Sequence, residues 1–219
     1  MWSPPAPLPP RAEPRALYGS RLYDRPEHAA VRARVLEFVA GDAPVVVEVG
    51  FDHGMVLLEQ ARVAPETRWL GLEIRKRRVA ALVPHAPPNC LPFAGDARTV
   101  FHALLPPGSV DRVEIRFPTP ATNPRHVLMS AGFVADLARV LRPGGTVFHM
   151  TDVEGLAALA ASLLAHWSMA ALPPDPPALS RRARVCRRDG LPVWQACWTV
   201  PESTAALPAP GGTLPPHRT

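Results

Sequence analysis

The sequence predicts an α/β domain: a doubly wound, mainly parallel, seven-stranded sheet closed by a C-terminal antiparallel hairpin. Three observations lead there. Short β-branched apolar runs alternate with stretches of helical periodicity, which is the pattern of strands joined by crossover helices. The run Val45–Val49 breaks into a loop held between Gly50 and Gly54 and then into good helix formers, the strand–loop–helix unit that opens such folds. Two alternating runs near the C-terminus, Arg181–Arg188 and Val193–Val200, flank Asp189-Gly190 and read as antiparallel strands.

Taken in order, residues 1–16 are proline-rich and are expected to be a disordered arm, with the domain spanning 17–200 and a second disordered proline-rich tail at 201–219. Val31, Val35, Leu36 and Val39 recur at helical spacing, so Pro26–Ala40 reads as an amphipathic helix. Val45–Val49 and Met55–Ala64 follow as strand and helix. Arg68–Ile74 is a second strand carrying Glu73, 25 residues after Glu48. The helix Arg75–Val83 begins with Arg75-Lys-Arg-Arg. A third strand runs up to Asp96, Val100–Leu105 is helical, and Val110–Phe117 is a fourth strand. It feeds a proline-punctuated loop, Pro118–His126, at the strand end where α/β folds keep their chemistry. Phe133–Leu141 reads as a helix, Arg142-Pro-Gly-Gly as a turn, Thr146–Met150 as a fifth strand ending at Thr151-Asp152, and Val153–His166 as a long apolar helix.

Composition narrows the class. The 219 residues suit one sizeable domain, and 47% hydrophobic residues can fill a core. There is no apolar run long enough for a bilayer span, and the N-terminal segment has neither the basic start nor the apolar stretch of a signal peptide, so a cytoplasmic location without membrane contact is expected. Cys90, Cys186 and Cys197 are scattered and read as buried thiols; no spacing typical of a metal site occurs. The net charge of +5 rests almost wholly on arginine, Lys76 being the single lysine, and such a balance favours a polyanionic partner.

Glu48, Glu73 and Asp96 stand near the ends of three successive strands. In a doubly wound sheet those ends line one crevice, and a cofactor with an amino-acid tail, a ribose and an adenine would take one polar contact for each. S-adenosylmethionine (SAM) has those three parts.

A resemblance adds to this. Val47-Glu-Val-Gly-Phe…Gly54, Gly71-Leu-Glu-Ile, Gly95-Asp-Ala, Val113-Glu-Ile-Arg-Phe-Pro, Arg125-His, Val140-Leu-Arg-Pro-Gly-Gly and Thr151-Asp recur in order over roughly residues 17–200. The sequence thereby resembles the bacterial tRNA (guanine-N7)-methyltransferases, class I SAM-dependent enzymes with a Rossmann-like fold that modify the variable loop of tRNA. The resemblance implies that Glu48, Gly50, Gly54, Glu73 and Asp96 form the SAM site and that Asn123, Arg125, His126 and Asp152 meet the tRNA. No metal is expected from the residue spacing, and the sequence leaves the chain a monomer or a homodimer. Three departures stand out. Thr119 occupies the position of the family's catalytic aspartate and Asn123 that of a lysine. Ser180-Arg-Arg-Ala183 stands where the family has a threonine followed three residues later by a glutamate. Asp52-His53 replaces the usual glycine and lysine of the loop. The expectation is methyl transfer to N7 of a tRNA guanine. The alternatives are a weakened or inactive member that binds SAM or tRNA without turnover, and a methyltransferase for another substrate.

Overall fold

The computed structural model describes residues 26–118 and 127–202. A 3-10 turn, Pro26–His28, leads into α1 (Ala29–Val39). There follow β1 (Val45–Val49), α2 (Met55–Val63), β2 (Arg68–Glu73), α3 (Lys76–Leu82), β3 (Cys90–Ala94), α4 (Ala97–Ala103), β4 (Val110–Arg116), α5 (Ala131–Val140) and β5 (Leu141–Thr151). The chain closes with α6 (Glu154–Leu163), β6 (Ser168–Met169), α7 (Arg181–Asp189) and β7 (Trp194–Thr199). The seven strands form one sheet in the order β3-β2-β1-β4-β5-β7-β6. The first five are parallel, and β7 runs antiparallel to both β5 and β6. The expected doubly wound sheet is therefore present, with the chain reversing direction across it between β3 and β4.

Each face of the sheet buries its own cluster. On one side Val45, Val47, Leu70, Leu72, Val113 and Ile115 pack beneath α1, α4, α5 and α6. On the other, Val46, Trp69 and Cys90 meet Leu57 and Ala61 of α2 and Val79 and Leu82 of α3. Alternation along each strand sends odd and even residues to opposite sides, so the inner strands carry apolar residues on both. β4 is the exception: Arg112, Glu114 and Arg116 occupy successive positions on one face, and Glu114 and Arg116 are buried.

Two expectations are corrected. Arg181–Arg188 is not a strand; Arg181–Asp189 is helix α7, and the hairpin partner of β7 is the two-residue β6. The reason is local. Ser180 Oγ accepts the Ala183 N–H at 3.1 Å and caps the helix, while Gly190 at φ 63° ends it, with the Leu191 N–H returning to Cys186 C=O. Arginine is a good helix former, and the alternation of Arg with Ala, Val and Cys fits a one-sided helix as well as a strand. Arg142-Pro-Gly-Gly is not a free turn either. It lies within β5, where the pairing with β4 shifts from Val110↔Leu141 to Arg112↔Thr146, so these residues bulge. The other elements match their expected positions to within a few residues at the ends.

Candidate cofactor site

The loop after β1 is shaped by its backbone. Gly50, Asp52 and Gly54 all have left-handed φ, at 75°, 54° and 74°. A side chain on Gly54 would also collide with Leu82, whose Cδ2 lies 2.3 Å from the site of a Cβ. The loop is stitched to β2 by the Gly50 and Phe51 N–H groups, both donating to Leu72 C=O. Asp52 adopts a conformation that costs a non-glycine residue about 1 kcal/mol, and its carboxylate is held by Arg78 of α3, with Arg75 at 3.8 Å.

Three acids border this loop, and each sits differently. Glu73 ends β2, is 5% exposed, and accepts the N–H of Asp52 at 3.2 Å and of Arg75 at 3.0 Å; Arg78 lies 3.8 Å from it. Asp96 caps α4 through the Arg98 N–H at 2.9 Å and is gripped by the Arg98 guanidinium at 2.6–3.0 Å. Glu48 is the penultimate residue of β1 rather than its end. It lies opposite Gly71, two residues short of Glu73, and is 3% exposed. Its Oε2 has no hydrogen-bond partner. Burial is the main force on its carboxyl, which is pushed up to about 8, with Arg116 opposing and Glu114 adding to the rise.

Strand order places Asp96, Glu73 and Glu48 in a row along one edge of the sheet, over two strand spacings or roughly 10 Å. The next strand along, β4, ends at Arg116, where Phe117 takes φ 49° and donates its N–H to Met150 C=O at 2.7 Å. This pins Phe117 in the same region, one residue before Pro118. Thr119, Asn123, Arg125 and His126 lie outside the described residues. The described residues resume at the buried Val127, with Met129 buried as well. Asp152, just past β5, is bound by Arg182 of α7, whose Nε lies 2.8 Å from Oδ2. The conspicuous neighbour that sequence reasoning passed over is Glu114, fully buried on β4 directly opposite Glu48 and ion-paired with Arg112 and Arg116. The signal was available: charged residues alternate along a strand that should be apolar on both faces.

The residues fit a cationic, hydroxyl-bearing cofactor. An orphaned buried carboxylate oxygen on Glu48 awaits a donor, and Glu73 keeps lone pairs free beyond its two backbone bonds. Among the described residues no group of three His, Cys, Asp or Glu could hold a metal, and no helix is long and apolar enough to cross a membrane. A separate cavity of about 330 Å³ lies between α6 and the β5–β7 pair, lined by His149, Trp194 and Trp198 among others; none of the three acids lines it.

Comparison with known proteins identifies the family and the fold. The model of a family described as "Putative methyltransferase" matches residues 42–175, more than half of the chain. A tRNA (guanine-N(7)-)-methyltransferase of Cronobacter sakazakii is 37% identical over 134 residues, 56% of this chain and 56% of that protein. One from Saccharophagus degradans is 32% identical over 148 residues, 64% of this chain and 62% of that protein. The chain thus spans between half and two thirds of the length of these curated relatives. Among solved structures, the 16S rRNA methyltransferase KamB aligns with a TM-score of 0.56 at 20% identity, covering 77% of this chain and 93% of that one. A 16S rRNA (adenine(1408)-N(1))-methyltransferase from Catenulisporales acidiphilia, crystallised with its cosubstrate SAM, aligns at 0.52 and 18% identity, covering 77% and 91%. At such identities these two establish the fold alone, the class I methyltransferase arrangement of the sheet. The glycine loop, the acids along one sheet edge and the matched family model together make this chain a member of that methyltransferase family, one whose curated relatives are tRNA (guanine-N(7)-)-methyltransferases.

Proposed function

We propose that this protein transfers the methyl group of SAM to N7 of a guanine in the variable loop of tRNA. The observation that carries the reading is the row of Asp96, Glu73 and Glu48 beside a left-handed glycine loop, ending at the pinned start of the substrate loop. Asp96 would face the adenine, Glu73 the ribose hydroxyls and Glu48 the amino-acid end, with Gly50 and Gly54 letting the backbone approach. SAM supplies a sulfonium-bound methyl. The S–CH₃ bond breaks as the N7–CH₃ bond forms, leaving a neutral thioether and a cationic guanine.

N7 presents an in-plane lone pair and no proton, so the transfer needs placement more than a base. That bears on Thr119, which stands where relatives carry an aspartate. A hydroxyl there can still accept from the guanine N–H edge, but it cannot offset charge developing on the base. A rate loss on the order of 10²–10³ is expected relative to an aspartate enzyme. Asn123, Arg125, His126 and Asp152 are assigned to the RNA. The exposed basic groups, Arg75, Lys76 and Arg77 just after Glu73 in the middle of the row and the arginines of α7 beside Asp152 past β5, suit the phosphate backbone of a tRNA in the cytoplasm.

Transfer of tritium from labelled SAM into unmodified tRNA, followed by nucleoside mass spectrometry, tests this. Label in 7-methylguanosine is the expected result. SAM and tRNA binding with no label in any nucleoside would instead establish the second reading, a binding protein without turnover, which Thr119, Asn123 and the Ala183 in place of a glutamate favour.

A further inference from the structure

The charged groups of β4 form a rail on the face that carries Glu48. Arg116 donates to Glu114 Oε2 through Nε at 3.3 Å and a terminal nitrogen at 2.8 Å, and its guanidinium lies 4.8 Å from the Phe148 ring. Arg112 brings Nε to 2.9 Å from Glu114 Oε1 without hydrogen-bond alignment and stacks over Trp69 at 5.8 Å. Both guanidinium groups are thus committed to Glu114 and to aromatic faces. Glu48, directly across from Glu114 in the parallel register, receives none of their hydrogen bonds.

The remaining charged groups do not fill that role. Glu73 of β2 and Asp52 of the loop are themselves acids, and they share Arg75 and Arg78. From β3 comes the thiol of Cys90, pushed upward first by burial and then by Glu48; Arg62 of α2 opposes that rise and pairs with Glu59. A carboxylate left in this position would be buried, next to a second carboxylate and without a donor, which strongly disfavours its charged form.

We propose that Glu114 is a positioning residue of the cofactor site: by taking both arginines it leaves Glu48 an uncharged carboxylic acid in the free protein, which gives up its proton when the cationic cofactor arrives. The proposal rests on the reading of Glu48 as a SAM contact. Its balance is simple. The O–H bond of Glu48 breaks, the proton passes to solvent, and the new carboxylate faces the positive charge of SAM. Direction agrees with the burial-driven rise of the Glu48 carboxyl to about 8. Proton-linked binding then weakens about tenfold for each pH unit below that value and is flat above it. It also separates SAM from its demethylated product: the product lacks the sulfonium charge and draws the proton off less completely.

Two measurements test this. In the free protein labelled with ¹³C-carboxyl glutamate, the resonance that disappears in Glu48→Gln should titrate near pH 8; titration in the ordinary carboxylate range would overturn the proposal. Calorimetry in buffers of different ionisation enthalpy should find close to one proton released per SAM at neutral pH, fewer for the demethylated product and none in Glu48→Gln. SAM binding with no proton release would overturn it as well. Glu114→Gln frees the two arginines, so the Glu48 titration should drop by at least one unit and proton release at neutral pH should fall to half or less, while Glu114→Asp restores both. An unchanged Glu48 titration in Glu114→Gln would show that Glu114 does nothing beyond packing. A folded protein that binds no SAM at all would overturn the cofactor reading itself, a failure recognisable because the Glu48 titration is read without cofactor.

Discussion

Glu73 shows how much a single carboxylate can be asked to do. It accepts two backbone N–H groups that tie the glycine loop and the start of α3 to β2, and it still has lone pairs facing the crevice. Replacement by alanine is expected to weaken SAM binding by about 1–3 kcal/mol, or roughly five- to 150-fold, by calorimetry. Unchanged affinity would remove Glu73 from the site. His149 illustrates the opposite case. It is 2% exposed, its Nε2 has no partner, and burial lowers its titration from 6.5 to about 4. The folded state therefore holds it neutral, and the associated stability is present above about 6.5 and lost as the pH falls towards 4. The loss is on the order of 3 kcal/mol, and denaturant titrations at neutral pH and near pH 4 should show it shrinking in His149→Gln. Glu48 works with the reverse sign. Its carboxyl is raised in the fold, so its contribution is present below about 4.5 and declines as the pH rises towards 8.

At the scale of elements, the packing of α2 on the sheet depends on Gly71. A Cβ there would lie 2.2 Å from Leu57 Cδ2 and 2.8 Å from Phe51 Cδ1, so Gly71→Ala should cost about 1–3 kcal/mol by overpacking, read as a lower thermal midpoint. Phe51 belongs to the loop, so the same change should also loosen the proposed SAM site. Helix α7 carries five exposed arginines, of which Arg182 is spent on Asp152 and Arg188 on Asp189. Arg181, Arg184 and Arg187 remain for a polyanion. Changing these three to glutamine should flatten the logarithmic salt dependence of tRNA binding by about 2–3. A slope that stays the same would place the RNA elsewhere on the surface. Asp152 was assigned to the RNA from resemblance; its ion pair with Arg182 means that any such contact is made by the pair, with Arg182 released or shared.

The whole molecule was largely legible in its periodicity. Five parallel strands and their helices could be read because each is coded locally, by a short apolar run or a 3.6-residue repeat bounded by glycine or proline. The C-terminal segment was misread because a helix of alternating arginine and small residues resembles a strand until Ser180 and Gly190 are recognised as caps. The antiparallel character of that end survived the error, since β7 pairs with β5 and β6. The acid row was legible too, because strand ends in a doubly wound sheet are brought together by topology.

Local chemistry settled the strands, the left-handed glycine positions, the identity of the acids and the basic surface, since each depends on a few neighbouring residues. The tertiary structure decided what those acids are. Glu48 and Glu114 are 66 residues apart in the chain and face each other only because β4 inserts beside β1. Which arginine neutralises which carboxylate, and whether a buried carboxyl keeps its proton, follows from through-space charge and loss of water. Neither is encoded in any short stretch of sequence.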